Sequence, residues 1–489
     1  MGPVGQGRAH RVEPLLRPTR QGDAHPGRGV LGEVAGGQAA DEPGRADKDE
    51  VELTLSAHRP NLGDVPPALA HRRVGQSGPM TRRPKVLAIV QAGGQGSRMD
   101  VLTRERAKPA LPYAGQYQLV DFALSSLAHS GVTDVWLSVQ YLATSLHKHV
   151  AAGRPWDLDR TRGGLQWLPP EEGSGSAAQS GFSEGNGDDL YRNLDSIRDF
   201  GADVVLVLSA DQVFSLDLRD VVDQHLDTGS SCTVVTTEVS RAQAAAKAVV
   251  EVGTGGVVTG LDYKPDDPGA STIAAEIFAY NPSRLAAALE DLRAERVDAA
   301  DGDDSGIGDF GEHLIPRLVE DGSVHAFALP GYWRDLGTPS EYVAAHRDLL
   351  AGRVDVFDDP QWPILTRWPE LPAALVRRGA TVEHSVLSAG ADIAGTVVGS
   401  VIGPGVRVAK GAVVEDSVVF AQTVVEAGAE VRAAVVDSRC SIGRGARVGA
   451  TPPGSRIGDD RLVLVGRDSR VGRGVVVRPG ARLEPGSTA

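Results

Sequence analysis

QAGGQGSRMDVLTRERAKPALPYAG, residues 91–115, opens with a glycine-rich turn and carries two cations, Arg98 and Lys108, soon after it. The run before it, KVLAIVQ (residues 85–91), is apolar and rich in β-branched residues, which predicts a buried strand. A glycine-rich turn at the carboxyl end of a buried strand is where α/β sheets bind ligands. Such a turn suits phosphate, because glycines let backbone N–H groups approach a ligand closely. The stretch predicts a phosphate-binding α/β sheet or, alternatively, a tight strand-to-helix turn without a ligand.

The turn matches neither of two common phosphate motifs. The P-loop ends in Gly-Lys-Ser/Thr, whereas Gly96 is followed here by Ser97 and Arg98. The dinucleotide fingerprint needs a third glycine, and Met99 occupies that position. A bound phosphate would therefore belong to a different kind of nucleotide site.

Length and composition exclude several classes of protein. A chain of 489 residues predicts roughly two to four domains. It has no apolar run long enough to cross a bilayer and no signal-peptide pattern at its start. Its two cysteines, Cys232 and Cys440, predict reduced core residues of a cytoplasmic protein and argue against a disulfide framework or a zinc site. The net charge of −14 argues against general nucleic-acid binding, so a bound polyanion needs a local cationic site.

Residues 1–79 differ from the rest of the chain. They contain no Phe, Tyr or Trp and are dense in Gly, Pro, Arg and His. Such a segment buries too little apolar surface to offset its ordering entropy. We predict a disordered or mis-assigned N-terminal extension, with Met80 as the true start. The alternative is a regulatory or targeting arm.

Strand and helix patterns alternate through residues 80–350. Strands are predicted at residues 134–140, 203–211 and 232–239, and helices at residues 119–131, 188–201 and 217–229. This alternation predicts an α/β domain with a Rossmann-like, doubly wound and mostly parallel sheet. Between them, residues 170–187 are predicted by composition to be a loop, in the region where a lid would lie.

The C-terminal part has a different period. Ile402, Val408, Val414 and Phe420 lie six residues apart, and the same step returns several times before the end of the chain. A sustained period of six is typical of a parallel β-helix, in which each short strand forms one face of a prism. We predict a left-handed β-helix over residues 376–489, after a linker over residues 351–375. An irregular β-sandwich is the alternative.

These features together resemble the sugar-1-phosphate nucleotidyltransferase family. The resemblance covers the chain from about residue 85 to its end, and it is greatest to the members that transfer the adenylyl group of ATP to glucose 1-phosphate. Besides the Gly-Gly-x-Gly-x-Arg loop, it rests on the segments RAKPALPYAG, VDFALSSL, QY, NLD, DFGEHLIP, YWRDLGT and QWPILTRWPELPAA.

The resemblance implies that the glycine-rich loop holds the triphosphate of ATP. The sugar phosphate oxygen would attack the α-phosphorus and pyrophosphate would leave, so catalysis would be mainly positioning and charge neutralisation. The implied catalytic residues are Arg98, Lys108 and Asp211. The implied nucleotide-binding residues are Gln91, Ala92, Gly93, Gly94, Gly96, Arg98, Gly185 and Asp188.

The resemblance also implies Mg²⁺ as cofactor, with Asp211 and Asp309 as its ligands. Lys264, in DYKP, matches the lysine that holds the phosphate of the sugar, and Tyr263 and Ala274 are the other implied sugar-phosphate contacts. Taken alone, Asp211 could be a strand-end carboxylate facing water. Lys264 could likewise be a solvated surface charge.

Several positions depart from the family pattern, mostly in the sugar pocket. Gln212 follows the metal aspartate where the family has His, and Tyr263 replaces an acid. Ala274 aligns near a serine and Glu276 near a glycine. Two alternatives therefore stay open. One is a nucleotidyltransferase for another sugar 1-phosphate, and the other is a weakly active or inactive regulatory subunit.

The expected partners are ATP and glucose 1-phosphate, with ADP-glucose for glycogen-type glucan synthesis as the product. The β-helix is expected to build a homotetramer, as the resemblance implies, or a hetero-oligomer with a paralogue. Solenoids commonly assemble in this way, because their open coils and flat faces need covering. Neither nucleic acid nor a membrane is expected as a partner.

Overall fold

The computed structural model describes residues 82–94, 96–170, 183, 185–299, 307–320, 322–450 and 458–489. The predicted N-terminal extension, residues 1–79, and most of the predicted lid loop lie outside the described residues. The glycine-rich turn and the C-terminal repeats belong to one compact unit, Pro79–Ala489. Within the described part of the chain, no helix combines the length and the apolar character that crossing a bilayer requires.

A nine-stranded mixed sheet forms the centre of the first domain. Its strands are β1 (Val86–Ala92), β2 (Asp134–Val139), β3 (Gly164–Leu168), β4 (Val204–Ser209), β5 (Cys232–Glu238), β6 (Ala248–Val252), β7 (Val258–Tyr263), β8 (Thr272–Tyr280) and β9 (Val324–Ala328). The strand order is β7-β6-β8-β4-β1-β2-β3, and β5 pairs with β8 and β9. β1 therefore lies inside the sheet, parallel to both of its neighbours, β4 and β2.

Helices connect these strands and cover both faces of the sheet. They are α1 (Val120–His129), α2 (Ala143–Val150), α3 (Asn186–Arg192), α4 (Leu194–Phe200), α5 (Leu218–Thr228), α6 (Arg241–Ala244), α7 (Pro282–Ala299), α8 (Ile315–Glu320) and α9 (Pro339–Leu350). Shorter helical turns are the 3₁₀ segments Ser97–Thr103, Lys108–Ala110, Arg154–Trp156, Thr254–Gly256 and Asp355–Phe357, and a π-helix at Phe310–Leu314.

The predicted alternation of strand and helix is confirmed from β1 to β5. α5 begins after Asp217, whose side chain accepts from the N–H of Arg219, and it ends at Gly229, which has a φ of 62°. The helix predicted over residues 188–201 is instead two helices, α3 and α4. They separate at Asn193, whose side-chain amide donates to the carbonyl of Asp189 (2.8 Å), a local bond that competes with the helical pattern.

The later strands depart from the parallel arrangement. β8 runs antiparallel to both β4 and β5, and β6 and β7 are antiparallel neighbours. A short connection, residues 253–257, explains the antiparallel pair of β6 and β7, because a crossover between parallel strands needs an intervening helix. The doubly wound sheet thus gains an antiparallel edge on the side that carries Lys264 and Ala274.

Both faces of β1 are buried, and its side chains alternate between two apolar clusters. Ala88 and Val90 belong to the cluster that contains Leu124 of α1. Leu87 and Ile89 belong to the cluster that contains the apolar residues of α3, α4 and α7. A strand buried on both faces has only its ends free for binding, so the ligand site is confined to the loops that follow the strands.

The C-terminal domain is a left-handed β-helix of three parallel six-stranded sheets. The first sheet contains Leu375–Val376, Asp392–Ile393, Arg407–Val408, Val424–Val425, Ser441–Ile442 and Arg470–Val471. The second contains Thr381–Glu383, Thr396–Val398, Val413–Glu415, Glu430–Arg432, Arg447–Val448 and Val476–Val477. The third contains Val386–Leu387, Val401–Ile402, Val418–Val419, Ala434–Val436, Val463–Val465 and Arg482–Leu483.

Aliphatic residues from successive coils stack inside this prism, and the six-residue period arises because successive faces of one coil each carry an inward position. Ile393 pairs with Val408, Val408 with Val425, and Val425 with Ile442, and all four are buried. The third sheet also faces the first domain: Val435 and Leu464 share a buried apolar cluster with residues of α9 and of Ser97–Thr103. The β-helix therefore packs directly behind the segment that follows the glycine-rich turn.

Candidate active site

A cleft lies where the glycine-rich turn leaves β1, and it consists of two adjoining cavities. The larger one, of about 340 Å³, includes Gln91, Ala92, Gly93, Gly94 and Gly185 in its lining. The smaller one, of about 150 Å³, includes Arg98, Tyr263, Lys264 and Ala274. Lys108, Asp211 and Asp309 line both cavities. The structure thus gathers twelve of the fourteen predicted site residues in one cleft, and Gly96 and Asp188 line neither cavity.

Gly96 shapes the turn from outside the cleft. Its φ of 63° is a conformation that favours glycine, and a Cβ added there would lie 3.0 Å from Cβ of Lys108. Its carbonyl accepts a hydrogen bond from the hydroxyl of Thr103 (2.8 Å). The glycine therefore lets the 3₁₀ segment Ser97–Thr103 approach Lys108 closely.

Lys108 is a buried cation between two carboxylates. Its Nζ donates to Oδ2 of Asp211 (2.7 Å) and to Oδ1 of Asp335 (3.1 Å). Burial alone would lower the pKa of Lys108, but the charges of Asp211 and Asp335 outweigh it and hold the pKa above its ordinary value. The ammonium group is therefore fixed as a cation at the junction of the two cavities.

Asp335 and Lys247 are site residues that the sequence prediction missed. Nζ of Lys247 forms an ion pair with Oδ2 of Asp335. Burial would raise the pKa of Asp335, but Lys108 and Lys247 hold it below its ordinary value. Asp335 lies in the recognised segment YWRDLGT, which offered a signal, and it is brought to the cleft by pairing with Gln212, the residue after Asp211. Lys247 lies in the plain run AAAKAVV, which offered none.

The two predicted metal ligands come from separate elements. Asp211 follows β4, and its Oδ1 accepts from the hydroxyl of Ser209 (2.5 Å). Asp309 precedes the π-helix, and its Oδ2 accepts from the hydroxyl of Tyr263 (2.6 Å). Among the described residues, no group of three or more His, Cys, Asp or Glu is arranged to hold a metal ion. Two carboxylates on one cavity nevertheless fit Mg²⁺, which commonly takes one or two carboxylates together with phosphate oxygens.

A chain of hydrogen bonds joins the sugar-phosphate lysine to the second aspartate. Nζ of Lys264 donates to the hydroxyl of Tyr263 (2.5 Å), which in turn donates to Asp309. Burial and this bond to Asp309 raise the pKa of Tyr263, so its hydroxyl stays a donor. Tyr263, which stands where the family has an acid, thereby links Lys264 to the carboxylate instead of repelling that carboxylate.

Asp189, and not Asp188, lines the larger cavity. Its Oδ2 accepts from Nε2 of Gln91 (2.9 Å), and its Oδ1 accepts from the hydroxyl of Ser138 (2.6 Å). Burial raises the pKa of Asp189, and these two hydrogen bonds oppose that rise. Asp188 is buried and paired with Arg192. The structure thus places Asp188 as a support for α3, one residue away from the position that meets the cleft.

The start of α3 is held against the segment that carries Asp309. Gly185 has a φ of 115°, and a Cβ added there would lie 2.4 Å from the carbonyl carbon of Gly308. The N–H of Gly187 donates to the carbonyl of Gly308 (3.0 Å), and the N–H of Phe310 donates to the side chain of Asn186 (2.6 Å). Only glycine permits this approach, so Gly185 positions one wall of the cleft.

Glu276 lines both cavities and was not assigned a role from the sequence. It has a φ of 54° and lies where the pairing of β8 with β5 shifts register between Ala274 and Phe278. Burial, and then the charges of Asp211 and Asp335, raise the pKa of Glu276 to about 7. The cleft thus contains a carboxyl group that changes charge near neutral pH.

We expect Glu276 to make the fold less stable as the pH rises from 5 to 8. Between its ordinary pKa of 4.5 and its folded pKa of about 7, the folded state keeps a proton that the unfolded state has lost. Extra proton binding to the folded state stabilises it at low pH, and this advantage is lost as the pH rises through the folded pKa. Glu276→Gln stays neutral, so its free energy of unfolding relative to the parent should increase between pH 5 and pH 8.

Urea titrations of both proteins at the two pH values measure this difference. Glu383→Gln, at an exposed position of the β-helix, is the matched control and should show the same difference from the parent at both pH values. An equal effect of Glu276→Gln on the free energy of unfolding at pH 5 and pH 8 would contradict a raised pKa of Glu276 in the folded state.

Comparisons with known proteins match both domains of the chain. A family model described as nucleotidyl transferase matches residues 87–352, and one described as GlmU-like, C-terminal hexapeptide matches residues 372–457. Among curated relatives, a glucose-1-phosphate adenylyltransferase of Thermotoga neapolitana is 37% identical over 335 residues, which cover 68% of this chain and 76% of the relative. That of Bacillus cereus is 33% identical over 343 residues, 70% of this chain and 88% of the relative. That of Acetivibrio thermocellus is 29% identical over 409 residues, 81% of this chain and 93% of the relative.

Proposed function

The chain belongs to the nucleotidyl transferase family, and from this premise we propose that it is a glucose-1-phosphate adenylyltransferase. It transfers the adenylyl group of ATP to α-D-glucose 1-phosphate and releases pyrophosphate and ADP-glucose. One observation carries the proposal: a cavity at the glycine-rich turn and a cavity at Lys264 meet at Lys108, Asp211 and Asp309. Two phosphorylated substrates bound in such a cleft would meet at these three charged residues.

The reaction needs orientation and charge neutralisation more than covalent chemistry by the protein. An oxygen of the sugar phosphate attacks the α-phosphorus, and the bond from the α-phosphorus to the bridging oxygen of pyrophosphate breaks. Lys108 is held as a cation where the two cavities join, so it can stabilise negative charge that develops on the α-phosphate. Arg98, exposed at the smaller cavity, can meet the departing pyrophosphate.

Lys264 supplies the binding charge for the sugar phosphate. It extends from the loop after β7 on the antiparallel side of the sheet, and its backbone N–H donates to the carbonyl of Lys247 (2.9 Å). The two lysines therefore line the same small cavity, although Lys247 is already paired with Asp335. This leaves Lys264 as the more accessible partner for a phosphate.

Mg²⁺ belongs to the proposal as the cofactor. Asp211 and Asp309 would hold it, and the bound ion supplies positive charge at the phosphate oxygens. Asp211 keeps a second role, because it also accepts a hydrogen bond from Lys108.

We also propose that the chain forms a homotetramer in the cytoplasm and provides ADP-glucose for α-glucan synthesis. Trp368, Leu371, Leu375 and Val376 are exposed apolar residues around the first coil, and an interface there would remove them from water. The buried free thiols of Cys232 and Cys440 fit a reducing compartment. Light scattering at micromolar concentration tests the assembly, and a monomer would contradict it.

A pyrophosphate-release screen tests the activity. Sugar 1-phosphates are paired one by one with ATP, UTP, GTP and dTTP in the presence of Mg²⁺. We expect turnover with glucose 1-phosphate and ATP well above every other pair. Preference for another pair would indicate a nucleotidyltransferase for that sugar or base. No turnover with any pair would instead favour a regulatory subunit.

A further inference from the structure

The segment between Gly96 and Lys108 carries both cations assigned to the phosphates, yet it has little regular structure to hold it. Within its 3₁₀ turn, Asp100 has a φ of 56° and a ψ of −132°, a conformation that is rare for a residue with a side chain. Backbone of this kind persists only where the surroundings impose it. The contacts that hold Asp100 therefore decide where Arg98, two residues earlier, is placed.

The shorter of the two ion pairs of Asp100 comes from the end of the β-helix, and the longer one, with Arg104, lies within the segment itself. Nε of Arg482 donates to Oδ2 of Asp100 (2.9 Å), and the two side chains are 25% and 34% exposed. The guanidinium group is itself fixed by backbone carbonyls of the β-helix, since Nη2 donates to Asp459 (2.6 Å) and Nη1 to Gly480 (3.1 Å) and Leu462. Arg482 is thus oriented before it reaches Asp100, which makes this pair more than a chance surface contact.

Three further ion pairs join the same segment to the β-helix, and they differ in strength; the one between Arg467 and Glu105 spans 3.9 Å. Arg106 and Asp437 form a pair in which both side chains are almost fully buried, 5% and 1% exposed. Arg104 and Glu484 are 3.5 Å apart but well exposed, so their ion pair contributes little to stability. Removal of either partner of the buried pair would leave an uncompensated charge and destabilise the whole fold. The pair of Arg482 with Asp100 is therefore the contact whose effect on binding can be measured separately.

We propose that the last coils of the β-helix hold the phosphate-binding segment in its binding geometry, with Arg482 and Asp100 as the positioning residues. The claim rests on the proposed function in one respect, namely that the segment binds the phosphates of ATP. Neither residue lines the cleft, so both act through Arg98 and the backbone that follows the glycine-rich turn. The β-helix thereby contributes to nucleotide binding within a single chain.

The first test is Arg482→Ala, which removes the contact and leaves Asp100 only its longer, exposed ion pair with Arg104 (3.9 Å). We expect the KM for ATP to rise about five- to tenfold, in the range of a typical coupling between two sites. The KM for glucose 1-phosphate should stay within about twofold, since Lys264 extends from the loop after β7 and not from the segment that Arg482 holds, although it lines the same small cavity as Arg98. Arg377→Ala is the matched control, because it removes a guanidinium–carboxylate pair, with Asp392, inside the β-helix alone. It should leave both KM values unchanged.

Asp100→Gly separates positioning from stability. Glycine adopts a positive φ without strain, so this variant loses the contact while its backbone is relieved. We expect the KM for ATP to rise as in Arg482→Ala, with a melting temperature no lower than that of the parent. A merely structural role predicts that binding follows stability, so a parental KM in Asp100→Gly would overturn the proposal.

Hydrogen exchange provides a readout that needs no activity. Peptides that cover residues 96–108 should exchange faster in Arg482→Ala than in the parent, without any nucleotide present, and at the parental rate in Arg377→Ala. Unchanged exchange in Arg482→Ala would refute the positioning role even if the pyrophosphate screen succeeds. If the parent fails the screen but Arg482→Ala still exchanges faster than the parent, the positioning role of Arg482 and Asp100 is supported and only the proposed substrates are rejected.

Discussion

Asp211→Asn should lower turnover by about 10²- to 10³-fold, the usual loss when one electrostatic contact to the transition state is removed. Asn is isosteric with Asp, and position 211 lies outside the strand, two residues after the end of β4, so the fold should be retained. The substitution removes negative charge both from the proposed Mg²⁺ site and from the partner of Lys108. Lys108 keeps Asp335 as a partner, which limits the loss of stability.

The measurement is steady-state pyrophosphate release at saturating ATP and glucose 1-phosphate, with circular dichroism to establish folding. Asp203→Asn is the matched control, because Asp203 precedes the opposite end of β4 and its side chain accepts from the backbone N–H of Lys85 (2.6 Å). It makes the same chemical change far from the cleft and should keep parental turnover. Turnover of Asp211→Asn within about threefold of the parent, far from the expected loss, would reject the metal assignment and favour the regulatory-subunit alternative.

Parts of the molecule that follow a local sequence pattern, either an apolar run or a repeat, could be predicted from the sequence. β1 and β4 are runs of β-branched and aliphatic residues buried on both faces, and such runs are visible without knowledge of their partners. The six-residue step at Val408 and Val414 follows from the prism, because each face repeats the same inward position. Local chemistry of this kind needs no long-range information.

Pairings across long sequence separations could not be predicted in the same way. Lys108, Asp211, Asp335 and Lys247 form one network of ion pairs, but their positions in the sequence are far apart. A lone lysine in an alanine-rich run gives no sign that it will meet a buried aspartate. The ion pair of Arg482 with Asp100 could not be predicted for the same reason, since it joins the end of the β-helix to the beginning of the catalytic domain.

Which of two neighbouring residues on a helix faces the cleft could not be predicted from the sequence either. Asp188 and Asp189 are adjacent and chemically identical, yet neighbouring residues on a helix point in directions about 100° apart. Asp189 therefore meets Gln91 at the cleft while Asp188 pairs with Arg192. A resemblance carried over by motif fixes the helix but not which of two equal side chains lines the cavity.

Lys264→Ala should raise the KM for glucose 1-phosphate by about 10- to 100-fold, the loss expected for a hydrogen bond to a charged group. Turnover should fall far less, because a contact made equally in the ground and transition states contributes to binding and not to the chemical step. The KM for ATP should barely change, because Lys264 is assigned to the sugar phosphate and does not line the cavity at the glycine-rich turn. The substitution also removes the donor to Tyr263, but Tyr263 retains its hydrogen bond to Asp309.

Two companion variants identify which property of Lys264 matters. Lys264→Arg keeps the positive charge and should recover most of the affinity for the sugar phosphate, whereas Lys410→Ala removes a lysine from an exposed turn of the β-helix and should leave both KM values unchanged. A rise in the KM for ATP equal to that for glucose 1-phosphate would show that Lys264 serves the whole cleft. A large loss of turnover without a change in either KM would assign it to the chemical step. Asp211→Asn is expected to reduce turnover, and Lys264→Ala is expected to reduce affinity for one substrate. Opposite effects on turnover and KM in the two variants would therefore assign Asp211 to the chemical step and Lys264 to binding of the sugar phosphate.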